Sequence, residues 1–173
     1  QGCAEKLPIR EDGLFGQAEL TSCGLNGGPL AGEGYYPSCI ACHLFTDRPV
    51  IYVGDSDKPE YVNGSFPKIV KEGWDGDQNE GYITNMYDQC TAGFRYFDLS
   101  HVSEITLTIR GYAYGSMEIR TSFEGSAVKT IPLHYSNIWR DIKTEIKLPE
   151  GADSLYFTYR GPGSASFKGF TLK

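Results

Sequence analysis

The stretch Glu104-Ile-Thr-Leu-Thr-Ile-Arg110 alternates polar and apolar side chains at every position. A period of two places all the apolar side chains on one face, which is typical of a half-buried β-strand. Glycine, proline, asparagine and serine separate this stretch from further candidate strands at 8–15-residue spacing, and we find no amphipathic helical window of 11 or more residues. This arrangement predicts an all-β, antiparallel β-sandwich of the jelly-roll kind. The other candidate strands occupy residues 93–99, 116–121, 142–148, 155–160 and 167–172.

Length and composition are those of one globular domain. The chain has 173 residues, including 12 Tyr, 9 Phe and 2 Trp, which is too aromatic for a disordered protein. A formal net charge of −6 argues against nucleic acid or an anionic membrane as a partner. The sequence shows neither a signal peptide nor an apolar run long enough to span a membrane. We therefore expect a monomer that binds neither nucleic acid nor membranes.

The chain divides into a short leader and one domain. Residues 1–15 are polar and charged and are interpreted as a leader or linker remnant, which leaves residues 16–173 as a single β-sandwich. Residues 16–34 are rich in glycine and predict turns rather than a phosphate-binding loop. Residues 54–81 have the composition of a long surface excursion.

The five cysteines leave three interpretations open. An odd number cannot form a fully paired framework, and Cys39-Ile-Ala-Cys42 is the single C-x-x-C motif. Ordinary thiols are favoured, while one disulfide or a metal site remains an alternative.

Acidic residues provide one candidate metal site and no catalytic group. Asp75 and Asp77 begin a calcium-loop-like pattern, but Glu80 and Met86 occupy the positions where an EF-hand has glycine and glutamate. A solvated acidic turn is the simpler interpretation. No nucleophile elbow, zinc-protease motif or recognisable pair of catalytic carboxylates stands out. We therefore expect no enzymatic activity of the chain itself.

Several aromatic residues lie in or beside turn segments rather than on apolar strand faces. An exposed ring can pack against the C–H face of a sugar, while nearby polar groups bind its hydroxyls. Local packing of each ring is the alternative, and it is favoured for most of them. The residues concerned are Trp74, Tyr82, Tyr87, Tyr112, Tyr114, Tyr135 and Trp139.

Residues 16–172 resemble a known family over most of their length. The strings Gly81-Tyr-Ile83, Gly93-Phe-Arg-Tyr-Phe-Asp-Leu99 and Gly115-Ser-Met-Glu-Ile-Arg120 occur in the order found in family-6 carbohydrate-binding modules. Together with Glu19-Leu-Thr-Ser-Cys-Gly-Leu25 and Tyr36-Pro-Ser-Cys-Ile-Ala-Cys42, they resemble the module that follows the catalytic domain of certain family-43 glycoside hydrolases. Those enzymes act on arabinoxylan-type plant polysaccharides. The chain is too short to hold their catalytic propeller as well.

The resemblance implies a sugar-binding cleft in the loops at one end of the sandwich. Its two aromatic walls correspond to Tyr82 and Trp139; Trp74 and Tyr114 are further candidates because of their position in or beside turn segments. Where the family has an asparagine in the last strand, this chain has Lys168 or Ser166, and lysine cannot accept a hydrogen bond. The resemblance also implies a structural calcium, for which Glu19 is the candidate, while the Asp75/Asp77 loop is the candidate that the acidic pattern offers; no other cofactor is expected.

Two hypotheses about function follow. In the first, the chain is an extracellular, non-catalytic module that holds an attached glycoside hydrolase at plant cell-wall polysaccharide such as xylan or arabinoxylan. In the second, it is an accessory domain that packs on a family-43 catalytic domain and binds no sugar. Retardation by soluble polysaccharides in affinity electrophoresis separates the two.

Overall fold

The computed structural model describes residues 4–25, 27–47, 66–71 and 81–173, with the strand pairing of residues 52–53 and 60–61. One 3₁₀ turn, Ser38–Ile40, accompanies the strands in these residues, and no α-helix occurs among them. No helix of the described part is long and apolar enough to cross a lipid bilayer. The strands are β1 (Gly34–Pro37), β2 (His43–Phe45), β3 (Tyr52–Val53), β4 (Glu60–Tyr61), β5 (Lys68–Val70), β6 (Tyr82–Met86), β7 (Thr91–Arg95), β8 (Glu104–Ala113), β9 (Ser116–Arg120), β10 (Lys129–Pro132), β11 (Ser136–Glu145), β12 (Ser154–Arg160) and β13 (Gly163–Leu172).

The strands form two main antiparallel sheets. The larger sheet has the order β11-β8-β13-β6-β5. β6 pairs with the first half of β13, and β1 pairs with its last four residues on the same side. The smaller sheet has the order β10-β9-β12-β7-β2, while β3 and β4 pair separately. Consecutive strands thus often belong to different sheets, as in a jelly roll. The predicted all-β antiparallel sandwich is confirmed.

The core consists of the inward-facing side chains of both sheets. Ile105, Leu107 and Ile109 of β8 are buried, as the period-two pattern predicts. Phe157 of the smaller sheet packs against Phe167 of the larger one with ring centroids 5.0 Å apart. Burial of each such side chain contributes about 1.5–3 kcal/mol, so this layer holds the two sheets together.

The described residues before β1 are attached to the rest of the molecule by hydrogen bonds. The described residues between 16 and 33 contain no strand, as expected from their glycine content, but the Leu30 amide donates to the Tyr96 carbonyl oxygen at 2.9 Å. The proposed leader is connected too, because the Glu5 carboxylate accepts a 2.7 Å bond from the Thr21 amide. One expectation was wrong in part. β5 lies inside the predicted surface excursion, and its Ile69 pairs with Ile83 in the larger sheet.

The cysteines of the described part are thiols. Cys23, Cys39, Cys42 and Cys90 form no disulfide. Burial raises the pKa of the Cys42 thiol, the opposite of what a redox-active C-x-x-C requires. Among the described residues, no group of three His, Cys, Asp or Glu side chains could hold a metal. Ordinary thiols are therefore the interpretation that the structure supports for these four residues; Cys3 lies outside the described part.

Candidate carbohydrate-binding site

The outer face of the larger sheet carries the polar half of the period-two pattern. On β8, Thr106, Thr108 and Arg110 point away from the core, because the residues between them are buried in it. The neighbouring strand β11 places Asp141 opposite Thr108 and Lys143 opposite Thr106. Directly opposed residues on antiparallel strands share a face, so these side chains form one continuous polar surface.

Tyr82 and Trp139 meet on this face. Their ring centroids are 5.1 Å apart and their planes are inclined by 79°, an edge-to-face contact. The sequence indicated that these two residues belong together, but as opposite walls of a loop-end cleft. A sugar ring held between two parallel rings needs van der Waals contact of about 3.5–4 Å on each side, so it does not fit between rings this close.

The irregular pairing of β11 explains where Trp139 lies. The residue is inside the strand rather than in a turn, at the shift of register between Ser136 and Arg140. A β-bulge adds an unpaired residue and re-aims the side chains beside it. As a result, the indole reaches the outer face of the sheet and contacts Tyr82 at the first residue of β6.

Arg110 connects the two rings, and the sequence analysis missed it. Its guanidinium carbon lies 4.2 Å from the Trp139 ring centroid and 5.1 Å from that of Tyr82. One guanidinium nitrogen also donates a 3.0 Å hydrogen bond to the Tyr82 hydroxyl. A cation over the ring face and a hydrogen bond to the phenol fix both aromatic planes. The only signal in the sequence is that Arg110 falls on the polar side of the β8 alternation.

The two residues in the place of the family's asparagine reach the same face. Ser166 lies opposite Arg110 on β13, and its hydroxyl is 3.0 Å from that of Thr84. Lys168 is the extra residue of a bulge between Phe167 and Gly169, and its ammonium nitrogen is 5.8 Å from the Trp139 ring centroid. The amide of the family is therefore replaced by a hydroxyl that already has a partner and by a cation beside the indole.

A groove of about 430 Å³ runs along the face next to Trp139. In it, the Asp141 carboxylate accepts a 2.7 Å hydrogen bond from the Thr108 hydroxyl. The groove thus combines aromatic rings, hydroxyls, a carboxylate and an ammonium group, which can together contact the C–H face and the hydroxyls of a sugar. We call it the Trp139 groove; it is lined by Tyr35, Thr106, Thr108, Trp139, Asp141, Lys168 and Thr171.

Tyr114 belongs to a second aromatic group at the end of the same sheet. The ring of Tyr135 lies 5.0 Å from that of Tyr112 and 6.4 Å from that of Tyr114, with the latter pair nearly parallel at 13°. The proximity of Tyr112 and partial burial raise the pKa of Tyr135. We call Tyr112, Tyr114 and Tyr135 the tyrosine cluster.

A larger cavity lies elsewhere and has a different character. It measures about 890 Å³ and includes Glu33, Asp98 and His101, but no aromatic side chain of Tyr, Phe or Trp type lines it. Hydrogen bonds from Ser100 lower the pKa of Asp98, which is therefore a carboxylate at neutral pH. Volume alone favours this cavity, but sugar recognition requires a planar apolar surface, and only the Trp139 groove of the two provides it.

Glu19 does not have the surroundings of a calcium ligand. Its side chain is 71% exposed and lies 3.6 Å from the Arg95 guanidinium. A cation at this point would face another cation, and no group of acids completes a shell among the described residues. The residues around Glu19 therefore do not fit calcium. Trp74, Asp75 and Asp77 lie outside the described residues.

Comparison with known proteins identifies the architecture. A family-6 carbohydrate-binding module from Clostridium stercorarium, solved with cellobiose, superposes with a TM-score of 0.63 at 11% identity, over 85% of this chain and 98% of the module. A β-1,3-glucan-binding family-6 module from Bacillus halodurans gives a TM-score of 0.61 at 13% identity, over 84% of this chain and 98% of that one. The chain has the fold of a family-6 carbohydrate-binding module.

This family-6 fold also occurs within a larger enzyme. A family-43 arabinoxylan arabinofuranohydrolase from Bacillus subtilis, solved with cellotetraose, superposes with a TM-score of 0.61 at 15% identity, over 98% of this chain and 33% of the enzyme. In sequence, the chain is 47% identical over 172 residues to a xylosidase/arabinosidase from Thermoclostridium stercorarium. That alignment includes 99% of this chain but spans only 36% of the relative's length. No protein-family model matches the chain.

The family-6 fold brings together four of the six residues that the sequence indicated. Tyr82, Trp139, Ser166 and Lys168 share the outer face of the larger sheet, whereas Tyr114 lies at its end in the tyrosine cluster. Sequence reasoning missed Arg110 and most of the groove lining, because those side chains look like ordinary solvent-facing strand residues.

Proposed function

We propose that this chain is a non-catalytic carbohydrate-binding module of a larger, extracellular glycoside hydrolase. Its task is to hold the enzyme at plant cell-wall polysaccharide of the xylan or arabinoxylan class. The observation that carries the proposal is the Trp139 groove, which joins aromatic and polar side chains on the open face of a family-6 sandwich. The xylosidase/arabinosidase relative, of which the chain spans 36%, supports an attached enzyme of that class.

The chemistry of the groove favours a neutral sugar chain. The Lys168 ammonium group can donate hydrogen bonds to a ligand. The Asp141 carboxylate, which Thr108 positions, can accept hydrogen bonds from a ligand. A sugar hydroxyl both donates and accepts, so it can satisfy either group. Such sites exchange protein–water for protein–sugar hydrogen bonds, and the affinity is therefore modest. Attachment to an enzyme makes a modest affinity useful, because it raises the local concentration of the enzyme at its substrate.

The second candidate function, an accessory domain that packs on the catalytic domain, is favoured by one observation. Six large hydrophobic side chains between residues 7 and 25 are at least half exposed, an unusual density for the surface of a single domain. Among them, Ile9 is 70% exposed and Phe15 is 71% exposed. The attached enzyme would cover this surface. None of these six side chains lines the Trp139 groove, so sugar binding by that groove is what separates the two functions.

Affinity electrophoresis of the 173-residue chain tests the proposal. Native gels contain soluble xylan, arabinoxylan or mixed β-glucan, and a gel without polysaccharide corrects for charge and size. We expect retardation by at least one xylan and no release of reducing sugar. A folded chain that no polysaccharide retards would contradict sugar binding and leave the accessory role. Reducing sugar released in proportion to the protein, and persisting after repurification, would contradict a non-catalytic module.

A further inference from the structure

The tyrosine cluster has no role in holding the sandwich together. Tyr112 is 66% exposed, Tyr114 62% and Tyr135 46%, and none of them belongs to the buried core. Three adjacent tyrosines that stay in solvent keep an apolar surface uncovered. Aromatic rings with a polar tip are enriched where a surface binds a ligand or partner.

The backbone that carries two of these tyrosines is held in place from below. Tyr112 is part of β8 and pairs with Ser164 of β13. The Tyr114 amide donates to the hydroxyl of the buried Tyr159, which donates in turn to the Pro162 carbonyl oxygen. The backbone beneath the cluster is therefore fixed before a ligand arrives, and binding has to order only the two rotatable bonds of each tyrosine side chain.

The cluster lies in line with the Trp139 groove. Along β8, the outward-facing positions are Thr106 and Thr108 in the groove, then Arg110 beside Trp139, then Tyr112 in the cluster. The six residue-to-residue steps of extended strand from Thr106 to Tyr112 span about 20 Å. This length exceeds that of a disaccharide and accommodates several consecutive sugar residues.

We infer that the tyrosine cluster is a second sugar-binding subsite that continues the Trp139 groove, so that the module binds an internal stretch of a polysaccharide along β8. The inference rests on the proposed function, since it extends the same ligand across a second surface. A saccharide is favoured over a protein partner because the cluster is collinear with the groove. Each of its rings also carries a hydroxyl that can bond to sugar.

Calorimetry with oligosaccharides of increasing length tests the inference. The probes are xylo- and cello-oligosaccharides of two to six residues, titrated into the full chain and its Tyr135→Ala variant. We expect the affinity of the unaltered chain to rise with length up to the longest probes. Loss of one stacked ring in Tyr135→Ala should weaken binding of the hexasaccharide by about 3- to 10-fold and leave the disaccharide unchanged.

The matched control is Tyr96→Ala. Tyr96 is 44% exposed, nearly the same as Tyr135, but it follows β7 in the smaller sheet. This variant should bind every probe like the unaltered chain. Thermal unfolding of both variants verifies that they are folded, and a Tyr112→Ala variant provides a second test of the cluster should Tyr135→Ala unfold.

Each outcome has a separate meaning. Unchanged hexasaccharide affinity in Tyr135→Ala overturns the subsite while the proposed function stands. An equal loss for disaccharide and hexasaccharide also overturns it, because the variant then disturbs the groove itself. No binding of any probe or polysaccharide by the unaltered chain contradicts the proposed function. Concentration-dependent self-association that Tyr135→Ala abolishes, with sugar affinity unchanged, assigns the cluster to contacts between copies and overturns the subsite.

Discussion

Replacing Trp139 by alanine is the most direct test of the site, because this indole belongs both to the groove and to the aromatic contact with Tyr82. Loss of a stacked ring at the centre of a binding site costs about 1.4–2.8 kcal/mol, which is a factor of about 10–100 in affinity. For a module of modest affinity, such a loss abolishes retardation by polysaccharide. We therefore expect Trp139→Ala to migrate alike in gels with and without xylan.

The same substitution has a calculable effect on stability. It removes the Arg110 guanidinium contact at 4.2 Å, worth about 0.5–1 kcal/mol, and the edge-to-face contact with Tyr82, worth about 0.5–1.5 kcal/mol. The sum of roughly 1–2.5 kcal/mol lowers the Tm of a chain of 173 residues by about 2–10 °C. Trp139→Ala thus remains folded at room temperature.

Affinity electrophoresis and thermal unfolding are measured on the same samples, with Tyr96→Ala as the control for loss of an exposed aromatic residue. Trp139→Phe should retain part of the binding, because a smaller ring still offers a planar surface. If Trp139→Ala is retarded as strongly as the unaltered chain, the groove is not the binding site. If its Tm falls by far more than 10 °C, Trp139 is a structural residue and our assignment of its role is wrong.

Three further predictions concern single residues. Arg110→Lys should lower the affinity for xylan by about 2- to 30-fold, since lysine cannot hold the same planar contact with Trp139; calorimetry that shows equal affinities contradicts this. Burial lowers the pKa of His43 below 6.5, so the unfolded chain binds this proton more strongly, and the stability of the folded chain falls as the pH drops through that value. The difference in Tm between about pH 8 and pH 5 should therefore be smaller in His43→Gln than in the unaltered chain. An equal difference in the two proteins refutes this prediction. Gly163 has φ +85°, and an added Cβ would lie 1.7 Å from the Tyr112 carbonyl oxygen. Urea unfolding should therefore show that Gly163→Ala lowers the free energy of unfolding by more than about 1 kcal/mol. The control Gly13→Ala, where an added Cβ meets open space, should lower it by less.

The fold could be predicted because its long strands have a strong period. Between Glu104 and Arg110 of β8, and throughout β12, every second residue is apolar and is buried as the pattern requires. The short strands could not be predicted in this way. β5 has three residues, Lys68–Val70, and enters the sheet only because β6 offers it a partner strand. A strand of that length has no measurable period, so its sequence cannot be distinguished from a loop.

The site could be predicted only as far as its residues have distinctive chemistry. Tyr82 and Trp139 were found because large aromatic side chains near turns are unusual and because they match a family pattern. Arg110 was not found, since its contacts with Tyr82 and Trp139 depend on which residues of β6 and β11 come next to β8. That arrangement is set by strand order and by the bulge before Arg140, which are long-range features of the folded chain.

The bulges explain how the site keeps its polar character without the family's asparagine. An amide combines a donor and an acceptor in one side chain, whereas here Lys168 supplies the donor and Asp141 the acceptor from different strands. Lys168 reaches the groove because the bulge in β13 leaves it unpaired, and Asp141 is held by its hydrogen bond with Thr108. Because donor and acceptor stand on β13 and β11 with β8 between them, a ligand must lie across these strands or along β8 to meet both. An elongated sugar chain can do so, and a single sugar ring seated between Tyr82 and Trp139 cannot.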